Sequence, residues 1–160
     1  YYRGTVDERS LDRLRRFLET APAARRAMGP LAPGARVALR LDEGPAGFTL
    51  ADGGPRLAEG PLEDPDFTLT LPGPAVARLE AEGREEVAEA GLCLFKLLLE
   101  RDPALRVGAS VQAPLGRLVT HGWLAVLALG GARVALWLVK RGLANPAAVI
   151  ERLRRPGAGR

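Results

Sequence analysis

The chain has 160 residues, 47% of them hydrophobic and 26% charged, with a net charge of +4. This balance excludes a disordered or collagen-like polymer, and a single cysteine, Cys93, excludes an internal disulfide. The length fits one domain with one real core, and with no targeting segment in view the expected setting is cytoplasmic.

The charge is unevenly spread. Residues 42–102 hold 14 acids and 5 bases, whereas residues 130–160 hold 7 bases and 1 acid. A basic tail suits an anionic membrane surface or nucleic acid. A solvated helix beside the acidic middle of the same molecule is the plainer expectation.

In chain order, Thr5-Val6-Asp7-Glu8 resembles a capping box. Leu11, Leu14 and Leu18 follow at helical spacing, which predicts a helix to about Thr20. A second short helix runs from Ala21-Pro22 through Met28. The arginines of this region have no aromatic residues interleaved, so a stacking platform for nucleic acid is not expected.

From Arg36 the period becomes two. Val37, Leu39 and Leu41 alternate with Arg36, Ala38 and Arg40. Phe48 and Leu50 flank Thr49, and Leu57 sits between Arg56 and Ala58. Phe67, Leu69 and Leu71 alternate with Asp66, Thr68 and Thr70, and Leu105, Val107 and Ala109 with Arg106, Gly108 and Ser110. Each of these five strands has one greasy and one wet face, the mark of a mostly antiparallel sheet covered on one side. Turns are predicted at residues 42–47 and at Asp52-Gly53-Gly54-Pro55. The fold class is therefore α+β, five strands with every helix on one face. Arg36, Arg40, Thr49, Thr68, Thr70 and Arg106 should face solvent.

A short helix carrying Val76 and Leu79 is predicted to end near Gly83. A longer one is predicted over residues 84–100, with Val87, Ala90, Leu94, Leu97 and Leu98 inward. Residues 115–143 are apolar nearly all round, and a burying layer is expected there. Gly130-Gly131 and Arg133 interrupt this stretch, so two helices, 114–129 and 132–142, are expected rather than a membrane span. A last helix starts at Asn145-Pro146.

The chemistry search finds little. His121 is the only histidine, and the serines are Ser10 and Ser110. Cys93 stands among leucines, a context that makes a thiol inert. One Cys and one His give no zinc spacing, and no phosphate loop is present. Asp64 and Asp66 are expected in a solvated loop. No catalytic residue, metal or cofactor is expected, and the chain is read as a non-enzyme.

One resemblance remains. Gly47-Phe48-Thr49-Leu50-Ala51-Asp52-Gly53-Gly54, then Glu63-Asp64-Pro65-Asp66-Phe67-Thr68-Leu69-Thr70-Leu71 and the helix with Val76 and Leu79, resemble the sterol carrier protein 2 family. The likeness covers about residues 35–131. The chain differs at the fifth strand, where residues 103–111 replace the family's usual Gly-Lys-x-Lys-Ile-x-Gly. The resemblance implies a sterol-carrier-like domain over 35–143, with residues 1–34 a helical extension and 144–160 a basic helix and tail. It also implies a hydrophobic cavity between the layers that carries a fatty acid, sterol, isoprenoid or acyl lipid.

Phe48, Phe67, Leu94, Phe95, Leu98, Leu118, Trp123, Val126, Leu127 and Trp137 are the candidate ligand-binding residues. Arg117 and His121 are placed at a mouth, where they would meet a carboxylate or head group. The expected partner is a hydrophobic small molecule or lipid, with transient contact to an anionic membrane and a homodimer as further possibilities and nucleic acid not expected. The rival reading is an interaction or dimerisation module, or an accessory subunit, with a basic surface for anionic membrane or nucleic acid.

Overall fold

A computed structural model of the chain describes residues 9–52, 54–129, 136–137 and 139–141. It contains α1 (Ser10–Thr20), α2 (Pro22–Met28), β1 (Arg36–Leu41), β2 (Gly44–Ala51), β3 (Gly54–Glu59) and β4 (Phe67–Leu71). After these come α3 (Gly73–Glu82), α4 (Val87–Leu98), β5 (Gly108–Val111), α5 (Leu115–Thr120) and α6 (Trp123–Leu129). The architecture is α+β.

The five strands form one sheet in the order β3-β2-β1-β4-β5. Three pairings are antiparallel and one, β1 with β4, is parallel. The parallel pair arises because the chain recrosses the sheet after β3. Residues 60–66 run over the outer face, where the Leu62 side chain lies against Gly47. A Cβ at Gly47 would stand 3.0 Å from Leu62 Cβ, so this crossing needs a residue without a side chain. Register places Leu57, Phe48, Val37, Phe67 and Val111 in one row across the sheet. That row faces the helices. On the other face Arg40 and Thr70 are exposed, while Arg36, Thr49 and Thr68 are half-buried.

The β1–β2 connection is tighter than the sequence suggests, because Leu41 already pairs with Gly44. Its two residues act on helices. Glu43 Oε1 accepts a hydrogen bond from Leu11 N at 2.9 Å, and Asp42 Oδ2 accepts one from Gly73 N at 2.9 Å. Neither α1 nor α3 has a side-chain cap of its own. Each acceptor therefore does the work of an N-cap, for which about 0.5–2 kcal/mol is typical, and each carboxylate sits at the positive end of a helix dipole. The capping box at Thr5 lies outside the described residues. Leu11 and Leu14 of α1 and Leu31 just after α2 join the sheet residues in one core, and Met28 of α2 packs against it.

Several boundaries differ from expectation for identifiable reasons. Helix α4 begins at Val87 rather than at residue 84, because the Arg84 carbonyl accepts the Ala23 N–H at the start of α2. It ends before residue 100, where Leu97 O accepts both Glu100 N and Val107 N. Strand β5 starts at Gly108, so Leu105 and Arg106 are not in it. Asp102 holds that segment in a turn, accepting Leu105 N and Arg106 N on its carbonyl and Ala104 N on its side chain.

The apolar stretch after Pro114 departs most. It is not one helix to residue 129 but two, broken at His121-Gly122, where Gly122 has φ +89°. The His121 carbonyl is taken by Ala32 N at 3.0 Å, and a Cβ on Gly122 would fall 2.2 Å from the Pro30 carbonyl oxygen. The chain thus turns against the loop after α2. Nor is the stretch mostly buried: α6 has no fully buried residue. The Gly130-Gly131 break and the helix from Asn145 lie outside the described residues. No helix among the described residues is long and apolar enough to cross a membrane.

This contact gives a paired prediction. Gly122→Ala combines a left-handed backbone with a backbone clash and should destabilise the domain by about 3 kcal/mol or more. Gly116→Ala, in α5 with open space around it, should stabilise by up to about 1 kcal/mol. Urea unfolding followed by tryptophan emission measures both. A Gly122→Ala protein as stable as the parent would remove α6 from its place beside Pro30.

Candidate functional site

The polar centre of the molecule is Asp66, the residue just before β4, and its side chain is 0% exposed. The backbone fixes it from both sides. Asp66 N donates to Arg36 O of β1, and Asp66 O accepts Gln112 N and Ala113 N after β5. Four donors converge on its carboxylate. Arg117 Nε reaches Oδ1 at 2.9 Å. Oδ2 accepts Arg36 N at 3.1 Å, His121 Nδ1 at 2.7 Å and Trp123 Nε1 at 2.8 Å. Burial alone would push this carboxyl up. The hydrogen bonds from Trp123, His121, Arg36 and Arg117 outweigh it and hold the group below its usual value. An ionised carboxylate only accepts, so His121 carries its proton on Nδ1.

Arg117 is saturated. Besides Nε, one terminal nitrogen meets both carboxylate oxygens of Asp64, at 3.1 and 3.0 Å. The other donates to the carbonyls of Asp64 at 2.9 Å and Pro65 at 3.0 Å. All three guanidinium nitrogens are engaged, and these carboxylates raise the Arg117 pKa further. Asp64 adopts φ +50° to present both its carboxylate and its carbonyl to the one guanidinium.

This corrects two expectations. Asp66 is not in a solvated loop, and Asp64, though exposed, is committed to Arg117. Arg117 and His121 do meet a carboxylate, but it belongs to the protein. The spacing was a usable signal, since Arg117 and His121 are four apart and share a helix face. What the sequence did not supply was the acceptor on the other side.

The same carboxylate positions Trp123. With its indole N–H held by Asp66, the ring lies edge-on to Phe67, centroids 4.7 Å apart and planes at 75°. Beyond it, between the helices and the sheet, is an apolar hollow of about 400 Å³. Phe48, Phe67, Leu94, Phe95, Leu98, Leu118, Trp123, Val126 and Leu127 all line it. Trp137 is not among the lining residues; its ring lies 6.1 Å from that of Phe95, with the Arg141 guanidinium 4.0 Å over its face. Phe67, Leu69, Leu94, Leu98 and Val126 pack on the core yet are only partly buried.

The nucleophiles lie elsewhere. Cys93 Sγ is 3.5 Å from Glu82 Oε2, and burial together with that carboxylate pushes its pKa up to about 11. Ser110 accepts from Gln112 on the outer side of β5, and Ser10 is buried in α1. Among the described residues no group of three or more His, Cys, Asp and Glu side chains is arranged to hold a metal ion. Comparison with protein-family models, with curated proteins and with solved structures finds no match in any of the three.

Replacing Asp66 tests the centre. In Asp66→Asn, whichever way the amide is turned, its NH2 meets a donor: Arg117 on one side, or Arg36, His121 and Trp123 on the other. A loss of about 3–5 kcal/mol is expected from urea unfolding at neutral pH. The sign with pH follows from the lowered carboxyl. Its contribution is complete above the unfolded carboxylate range, near pH ~4, and is lost as pH falls through the lower folded value. The gap between parent and Asp66→Asn should therefore shrink on acidification from about pH 5 to about pH 3. A gap independent of pH would show that Asp66 is not ionised in the fold.

Proposed function

We propose that this protein binds and carries a neutral apolar molecule in the hollow between its sheet and its helices. One observation carries the reading. Apolar side chains from both layers face each other across about 400 Å³ and stay partly exposed, where a close-packed interior would bury them. The volume is at the lower end of the range for small-molecule sites, and the lining is of the expected apolar and aromatic kind. The resemblance to the sterol carrier protein 2 family over about residues 35–131 supports the same reading, as does the α+β sheet with its helices on the apolar face.

The surroundings narrow the ligand class. A fatty acid would need a cation or several donors for its carboxylate, and Arg117, the cation nearest Trp123 in the chain, is already committed to Asp64 and Asp66 through all three of its nitrogens. The neighbouring charge is negative, on Asp66. A long-chain alcohol, an isoprenoid or a sterol therefore fits better than a free acid. Burying about ten methylene groups gains about 8 kcal/mol before ordering costs, which corresponds to micromolar affinity at best. Carriage without chemistry is part of the proposal, and so is a cytoplasmic setting, for which one free buried thiol is the modest support.

The test uses diphenylhexatriene, a neutral fluorophore that accepts tryptophan emission. It should quench the protein saturably, and hexadecanol should displace it at least ~10-fold more effectively than palmitate of the same chain length. Leu94→Phe combined with Val126→Phe should abolish uptake while leaving the circular dichroism unchanged. Uptake that is unsaturable, or indifferent to both substitutions, would sink the carrier reading. Palmitate competing as well as hexadecanol would sink the preference for neutral ligands.

A further inference from the structure

Six of the seven exposed large apolar side chains among the described residues lie between Leu115 and Val139. Leu115 and Val119 are four apart on α5, so they share a face, and Leu127 and Leu129 are on α6. Leu136 and Val139, at 56% and 53% exposure, follow three apart. The neighbouring Trp137 and Arg141 turn the other way, onto Phe95 and onto each other. These side chains fall in a part of the chain without a single carboxylate. From Pro103 to Ile150 there is no Asp or Glu, while Arg106, Arg133, Lys140 and Arg141 occur there, besides Arg117, which is already paired with Asp64 and Asp66.

We infer that the exposed apolar side chains of α5, of α6 and of the helical residues around Leu136 and Val139 dock on the surface of an anionic lipid bilayer. Exposed Leu and Val in a stretch of chain whose only charged residues are Lys and Arg is the composition of a segment lying in a membrane interface. Nucleic acid would use the cations and leave the leucines in water. A second copy would cover the leucines but bring Lys140 against its own equivalent, with no acid in the segment to answer it. An anionic bilayer satisfies both features. The rest of the charge orients the molecule: residues 42–102 carry 14 acids against 5 bases, so that part is repelled while the acid-free part is attracted.

The placement has a use that rests on the carrier reading. Trp123 and Val126 of α6 line the hollow, while Leu129 of the same helix is exposed. A docked α6 would put a single helix between the hollow and the acyl chains, one tethered at its start by Trp123 and without a fully buried residue along its length.

Co-sedimentation of the full chain with vesicles of phosphatidylcholine, alone or mixed with phosphatidylglycerol, tests the docking. The anionic vesicles should bind at least ~10-fold more tightly. Leu136→Glu with Val139→Glu should reduce that binding by ~10-fold or more, and Lys140→Glu should reduce it less. Neither change touches the hollow, so diphenylhexatriene uptake should be retained. Uptake therefore reports on the carrier reading separately from the vesicle result. Val119→Glu on α5 provides an independent variant should the double change fail to fold.

Equal binding to both kinds of vesicle, or none to either, overturns the inference. So does undiminished binding by the folded glutamate variants. A dimer in sedimentation velocity that these variants dissociate, without vesicle binding, assigns the face to a second copy and overturns it as well.

Discussion

The structure depends on one buried carboxylate with four hydrogen-bond donors. Asp66, just before β4, lies where β1, the end of β5 and the α5–α6 turn come together, and it bonds to something in each of these three. Removing an ion from water is expensive, and only near-complete pairing offsets the cost. Here Arg117 answers with every one of its nitrogens, all bonded to the same cluster. The arrangement is directional: each donor reaches one oxygen at hydrogen-bond distance. A leucine in place of Asp66 would fill space, but it could not fix the angle of an indole ring or the path of a helix turn. The apolar layer above the sheet thus owes its position to a polar contact beneath it.

That contact also explains how an interior can remain loosely filled. Hydrophobic packing alone would draw α6 toward the sheet until Phe67, Leu69 and Val126 were covered. The turn at His121-Gly122 is held instead by Asp66 on one side and by Ala32 on the other, with the Pro30 carbonyl against the Gly122 backbone. A helix tethered at its start by fixed-length bonds cannot settle freely.

The strand pattern was legible in the sequence because burial on one face of a sheet is a local, period-two signal. Val37 and Leu39, and Phe67 and Leu71, announce their face without reference to anything else, and so does the stripe of Leu11, Leu14 and Leu18 in α1. What was not legible depended on residues far along the chain. The break at Gly122 is set by the Pro30 carbonyl, whereas the Gly130-Gly131 pair carries a stronger local break signal. The late start of β5 follows from an Asp102 turn that alternation cannot see. Asp66 looked like one more acid in a Pro-rich loop, because its burial is decided by donors at 36, 117, 121 and 123. Apolar residues on inward faces are what both a core and a cavity wall require, so the sequence pattern alone does not distinguish the two. The internal partner of Arg117 and His121 was not legible either, because Asp66 lies 51 and 55 positions away from them.

The two-residue turn between β1 and β2 carries a different lesson. Judged locally, Asp42-Glu43 is a mediocre hairpin connector, since tight turns of this length favour Asn-Gly or Asp-Gly. Yet each residue caps a helix that has no cap of its own, Glu43 at α1 and Asp42 at α3. Optimising the turn for its own geometry would gain backbone comfort and unseat a helix: Asn-Gly would remove both carboxylates and Asp-Gly the one at α1. Consensus-style improvement of this protein would go wrong at that spot, because the residues there were selected by neighbours more than thirty positions away on either side.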